Sequence, residues 1–286
     1  MTQAAVSNWG RWGADDRLGA LNLLTPDVVL NAAKLITRGK AYSLAVPLER
    51  NGHQHVPFHK TWKVTFTSPG PDVSFTEDVL TIDTHSGTHI DSLGHSWAEG
   101  QFYNGYSEEQ VFNAGVRKIG IDQVKTMVGR GVMLDIPRYR GTEHMRPGEV
   151  LTGEEMDAVA ASQGIAIEPG DILLFRTGWH TVFYNDYALW SSGVPGPDGS
   201  LAPWLKERDV CALGADQPTV EVQGAIDGYG ASFLHRYALR DLGIYLLENM
   251  NLEEIARDQV YEFLFVGAPL PLTEASGTPW NPVALV

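Results

Sequence analysis

Cysteine is the scarcest useful residue in the chain. A single thiol, Cys211, in 286 residues excludes an intramolecular disulfide and a cysteine-rich zinc site. Any bound metal must therefore be held by His, Asp or Glu. Basic residues are also sparse: 21 Lys and Arg against 35 Asp and Glu leave a formal charge of −14. Such a chain repels nucleic-acid backbones and anionic membrane surfaces. No apolar run reaches the roughly 20 residues needed to cross a bilayer. Met1 to Gly13 lacks the basic-then-apolar order of a secretory leader. The expectation is a cytoplasmic protein with neither nucleic acid nor membrane as a partner; the acidity itself identifies no substrate. There is no GxxxxGK[ST] and no dinucleotide fingerprint opening a helix after a strand; the glycines of Gly224 to Gly230 lack that context. A G-x-S-x-G elbow is missing as well, so neither a nucleotide cofactor nor a serine nucleophile is implied. No repeat of fixed period and no low-complexity block breaks the chain.

What is present suits a packed core: 43% of residues are hydrophobic and 20% charged, which points to one domain over residues 1–286. The stretch Ser191 to Pro203 carries three Gly and three Pro and reads as a long loop, either a surface excursion or a lid. Helix signals occur at Thr25-Pro26-Asp27, with Val28, Val29, Ala32, Leu35 and Ile36 as an apolar face and Gly39 as the stop. Thr152 to Glu155 reads as a capping box before Met156, Val159 and Ala160, with Gly164 as its stop. Phe233 to Leu242 reads as a third helix. Strands are expected at Trp62 to Thr67, Val79 to Thr84, Gly131 to Ile136, Asp171 to Thr177, Val210 to Gly214, Ile244 to Leu247 and Tyr261 to Val266. Strands and helices mix without strict alternation. The predicted class is α/β, with a mixed, partly antiparallel central sheet or a barrel-like β core and flanking helices.

Three of the nine histidines fall in one short run, His85-Ser-Gly87-Thr88-His89-Ile-Asp91-Ser-Leu-Gly-His95. On a helix, at about 100° per residue, Asp91 would lie roughly 200° around from His89, so no helix aims His85, His89 and Asp91 at one ion. On a strand the four residues share one face. A straight strand, at about 3.3 Å per residue, would nevertheless hold His85 some 20 Å from Asp91. The chain must bend, and Gly87 permits it. Two imidazoles and a carboxylate suit Zn²⁺, Mn²⁺ or Fe²⁺. Glu248 ends the apolar run Ile244 to Leu247, and a carboxylate at a buried strand end requires a partner, either a cation or an arginine.

The run His85-x-Gly87-Thr88-His89-x-Asp91-x-x-x-His95 resembles the H-x-G-T-H-x-D-x-P-x-H signature of the cyclase-like metal-dependent hydrolases, the family of bacterial kynurenine formamidase and isatin hydrolase. Further segments resemble it too: Gly170 to Trp179; Leu213 to Asp216 with Thr219-Val220-Glu221; His235; and Leu239 to Gly243 with Leu247-Glu248-Asn249. Trp12 to Leu24 resembles the N-terminal extension of longer members, placing an extension over residues 1–40. The signature's proline is Leu93 here, which removes a stiffening element before the last histidine. The resemblance implies a swivelling β/β/α fold, and His85, His89 and Asp91 as metal ligands. It adds His235 and Glu248 to the site, with Glu248 bridging a second ion in dinuclear members, and one or two Zn²⁺ or Mn²⁺ ions. It also implies a homodimer or homotetramer. His95, with an ordinary pKa of about 6.5, suits general acid/base work; the alternative is a further ligand. His235 is a second catalytic candidate.

The expected reaction is hydrolysis of an amide, imide, lactone or ester of a small cyclic or aromatic compound. Two other readings stay open: a non-haem Fe(II) oxygenase with a two-His, one-carboxylate triad, which would favour an all-β frame, and a non-catalytic metal-binding homologue. His53, His55 and His59 sit between Gly52 and Trp62 in an expected exposed loop, or contact substrate. Trp62, Phe66 and Trp179 are core aromatics or pocket lining. His144 and His180 carry no pattern beyond a surface or structural role.

Overall fold

The computed structural model describes residues 6–49, 52, 62–112, 115–224 and 233–286. Its strands are β1 (Ala41–Ser43), β2 (Trp62–Ser68), β3 (Phe75–Thr81), β4 (His89–Asp91), β5 (Met127–Asp135), β6 (Ile172–Arg176), β7 (Ala212–Ala215), β8 (Tyr245–Glu248), β9 (Glu262–Gly267), β10 (Gly277–Pro279) and β11 (Val283–Leu285). Nine of them form one mixed sheet in the order β1-β11-β9-β5-β6-β7-β8-β4-β10. Strands β5, β6, β7 and β8 are mutually parallel, and the ladders on either side are antiparallel. The fold class is the expected one, and its sheet is open rather than closed into a barrel. β2 and β3 form a separate two-stranded ribbon.

The parallel strands read as unbroken apolar runs, and β6, β7 and β8 are buried along almost their whole length. Strands covered on both faces need such runs. Their carboxyl ends carry polar residues instead: Asp135, Arg176, Asp216 and Glu248. In open α/β sheets this edge is where ligands bind. The N-terminal segment is bound to the same frame. Asn8 N donates to Asp241 O at 2.8 Å and Ala20 N to Gly243 O at 2.8 Å, and Ala20 and Leu21 join the main core.

Several boundaries move from their expected places for local reasons. The first helix spans Pro26–Ala33 and stops short of Gly39, because Leu35 N and Ile36 N bond three residues back and tighten the turn. The helix Gly153–Ser162 is capped by Thr152 as expected, but Glu155 does not complete the box; its carboxylate grips Arg140 at 2.6 and 2.7 Å. β3 ends at Thr81, opposite the first residue of β2, and the chain then turns, with Ser86 N on Asp83 O at 3.2 Å. Ile136 leaves its expected strand to start a helix with Pro137 in the first turn. The third helix opens as Phe233–His235 and widens into a π-helix over Arg236–Leu242.

The segment Ser191 to Pro203 is no open excursion. Residues 193–197 are buried, and backbone bonds tie Gly196 to Glu149 and Leu151 and Val194 to Gln223. Ala202 and Pro203 already belong to the helix Ala202–Arg208. Among the described residues no helix is long and apolar enough to cross a membrane.

Candidate metal centre

The bend required by the histidine run is present. Gly87 sits at φ +59°, a conformation that favours glycine. The chain then enters β4, whose residues His89 to Asp91 are fully buried. β4 pairs antiparallel with β8, so His89 stands opposite Glu248, and with β10, whose Gly277 stands opposite Asp91. Gly277 lies so close to His85 that a Cβ there would come within 2.6 Å of His85 Cε1.

Asp91 is the hub. Its Oδ1 lies 2.7 Å from His85 Nδ1 and 3.5 Å from His89 Nε2. Its Oδ2 lies 3.7 Å from His235 Nε2 and 4.0 Å from His95 Nε2. Glu248 closes the ring, with Oε2 at 3.2 Å from His89 Nε2 and Oε1 at 3.1 Å from His235 Nε2. The structure thus gathers all six candidates, His85, His89, Asp91, His95, His235 and Glu248, at the carboxyl end of β8. Two overlapping trios are of ion-binding size, with ligand atoms all within 4.8 Å: His85, Asp91 and His95, and His89, Asp91 and Glu248.

The charges indicate what is wanting. Asp91 and Glu248 are almost completely buried, and no Lys or Arg pairs with either among the described residues. Asp91 Oδ2 is buried with no hydrogen-bond partner. Burial alone would raise both carboxyls. The facing His95, His85 and His89 instead hold Asp91 well below the usual carboxylate range, and His235 and His89 lower Glu248. Conversely, burial would lower His89 and His235, yet Glu248 with Asp91 raises the first, and Glu221 with Glu248 raises the second well above its ordinary value. Two buried carboxylates that draw protons onto neighbouring rings form a site short of positive charge. A nitrogen- and oxygen-ligated divalent cation fits it.

Outer contacts separate the imidazoles. His85 Nε2 meets Ser276 Oγ at 2.9 Å, His89 Nδ1 meets Gly87 O at 2.9 Å, and His235 Nδ1 lies 2.8 Å from Glu221 Oε1. Among the described residues His95 has no such partner. Its side chain is 33% exposed, its ring lies 4.1 Å from that of His85, and its pKa is pulled down to about 4 by burial and by His85 and His235.

Ser276 escaped the sequence reading, and Glu221 entered it only inside a resembling segment. Ser276 lies 191 positions from the ring it contacts, with no local motif around it. The remaining candidates lie elsewhere. His53, His55 and His59 fall outside the described residues, as do residues 225–230. Phe66 stands on the exposed ribbon, whereas Trp179 is buried with Val182, Phe183 and Trp190, so the two do not line one pocket. His144 packs edge-on against Trp179, and His180 is buried beside Tyr184.

Comparison with known proteins agrees with this frame. The family model described as "Putative cyclase" matches residues 42–222. The kynurenine formamidase of Bacillus cytotoxicus is 27% identical over 202 residues, covering 70% of this chain and 75% of that protein. A crystal structure described as a novel cyclase superimposes with a TM-score of 0.92 at 32% identity, covering 100% of this chain and 99% of that one. Isatin hydrolase A from Ralstonia solanacearum shares the fold, with a TM-score of 0.63 at 21% identity over 92% of this chain and 98% of its own.

Proposed function

Because this chain belongs to the cyclase family, we propose that it is a metal-dependent hydrolase of a carbon–nitrogen bond in a small aromatic amide or cyclic amide. The observation that carries the proposal is the closure of three braced imidazoles and Glu248 around Asp91, whose Oδ2 is buried without a hydrogen-bond partner. The relatives supply the substrate class: kynurenine formamidase by sequence and isatin hydrolase by fold, the latter also known with the product analogue thioisatinate bound. The mixed α/β frame does not resemble the all-β frame expected of the oxygenase alternative.

His85, His89, Asp91, Glu248 and His235 would hold one or two divalent ions, Zn²⁺ or Mn²⁺. A bound ion lowers the pKa of its water from 15.7 towards about 7 and polarises a carbonyl. The chain supplies the rest. Asp91 fixes the geometry by reaching all four rings. His95, neutral at pH 7 and partly exposed to solvent, accepts the proton of the attacking water and delivers it to the departing nitrogen. The water oxygen joins the carbonyl carbon, the C–N bond breaks, and an amine and a carboxylic acid form, within one molecule where the amide is cyclic; the acid then releases its proton to solvent.

The test is elemental analysis of the purified protein by plasma mass spectrometry, followed by assay of aryl formamides, cyclic imides and lactones with Zn²⁺ or Mn²⁺ restored to the metal-free form. One or two equivalents of metal and metal-restored turnover are expected. Absence of both would overturn the reading in favour of a non-catalytic homologue.

A further inference from the structure

Val220 and Glu221 follow the carboxyl end of β7 and run behind the centre. Val220 N donates to Glu248 Oε1 at 3.3 Å. The next residue turns its carboxylate towards the opposite ligand: Glu221 Oε1 lies 2.8 Å from His235 Nδ1, and Oε2 accepts from Leu234 N at 2.7 Å. One dipeptide therefore holds both Glu248 and His235, the two site residues that come from the second half of the chain. Glu221 grips the histidine twice, through the backbone just before it and through the ring nitrogen facing away from Asp91. The Nδ1–Oε1 contact is an ion-pair contact that does not meet hydrogen-bond geometry.

This dipeptide is itself supported from behind. Val222 N bonds Pro197 O at 2.9 Å, and Thr219 Oγ1 bonds Glu221 O at 2.8 Å. A Cβ on Gly196 would meet Gln217 Nε2 at 2.8 Å and Val220 O at 2.9 Å. The buried segment 193–197 is thus packed against the strand end and leaves Glu221 little room to move. Glu221 is 3% exposed. A carboxylate so deeply buried is costly unless its charge is used, and His235 is the only ionisable side chain that the structure places in contact with it among the described residues.

We propose that Glu221 is a positioning residue that fixes the orientation and tautomer of His235 so that Nε2 faces Asp91 and Glu248. The role rests on the metal-centre reading above. It makes Glu221–His235 a carboxylate–histidine pair of the kind that orients metal-ligating imidazoles, whose loss costs 10–100-fold in metal affinity.

The test compares wild type with Glu221→Gln, which keeps the size and an acceptor for Leu234 N but removes the charge. Metal-free protein is titrated with Zn²⁺ against a chelator and with Co²⁺ by visible absorption. The expected result is a 10–100-fold loss of affinity in one class of site and an altered Co²⁺ spectrum, with the circular dichroism of the metal-free protein unchanged. Glu221→Asp, which keeps the charge but draws it back by one methylene, should fall between the two; it also provides the comparison if the Gln variant does not fold. Wild-type affinity and spectrum in both variants would overturn the role and reduce Glu221 to a packing contact. A wild-type protein that takes up no ion would overturn the metal centre and the role together, whereas normal wild-type uptake with unaffected variants removes only the role.

Discussion

His89 and Glu248 are register partners across the β4–β8 ladder, and their side chains meet with Nε2 and Oε2 3.2 Å apart. Residues directly opposite in an antiparallel pair project from the same face with neighbouring Cβ atoms, so the sheet itself sets this contact. A slip of one residue would turn Glu248 to the other face. Glu248→Gln preserves the shape and removes the charge that balances a cation. Metal occupancy after dialysis, read by plasma mass spectrometry, should fall by at least the roughly tenfold expected from losing a mere outer contact. Unchanged occupancy and unchanged turnover would remove Glu248 from the centre.

Gly87 offers a test of the bend. Its φ of +59° costs an L side chain roughly 1–2 kcal/mol, and a Cβ would press to 2.6 Å from Leu48 Cδ2. Leu48 can shift, whereas the backbone conformation cannot be relieved without moving His85 or His89. Gly87→Ala should therefore lower the denaturation midpoint and weaken metal binding together. A variant that loses stability while binding metal as tightly as wild type would show that the bend does not align the ligands.

The His85–His95 run was legible because its spacing rules out both a helix and a straight strand, and because Gly87 stands where the bend must fall. Glu248 was legible as a charge ending a buried run. The parallel strands β6 to β8 announced themselves by apolar content within a residue or two of their ends. What the sequence could not show depends on partners distant along the chain. Glu155 has the spacing of a capping box, yet Arg140 competes for it and wins with a bidentate pair. Glycine and proline at 191–203 predict irregular backbone correctly as far as Asp198, but neither the helical turns that begin at Gly199 nor the burial of the middle against Gln217 and Val220. Ser276 has an ordinary neighbourhood in sequence and acquires meaning only when β10 pairs with β4.

That pairing makes Ser276 testable. Ser276 Oγ meets His85 Nε2 at 2.9 Å while His85 Nδ1 faces Asp91. Removing the hydroxyl frees the ring to rotate and change tautomer. Ser276→Ala should lower Zn²⁺ affinity 10–100-fold in a chelator competition, and Ser276→Thr, which retains the hydroxyl, should recover most of it. Equal affinity in all three proteins would show that β4 alone sets the orientation of His85.

His95 gives a prediction in both turnover and pH. His95→Gln should retain its ion and lose roughly 10²–10⁴-fold in turnover, the usual contribution of a positioned acid/base group. Loss of the ion instead would make His95 a ligand, consistent with its place in the trio with His85 and Asp91. The metal-free protein carries an independent signature. The folded pKa of His95 is pulled down to about 4, below the ordinary value of about 6.5. Between these values the unfolded chain binds more protons than the folded one, so stability rises with pH there. The contribution is complete above about 6.5 and is lost as pH falls to about 4. His89 and His235, both raised, act in the opposite sense, with stability that is full below about 6.5 and lost as pH climbs through their folded values. The two effects separate by difference. Urea denaturation of metal-free wild type and His95→Gln at pH 4.5 and pH 7 should show a smaller loss on acidification in the variant. An equal loss in both would mean that His95 is not held neutral by its surroundings, and with it would go the argument that His95 is ready to accept a proton at neutral pH.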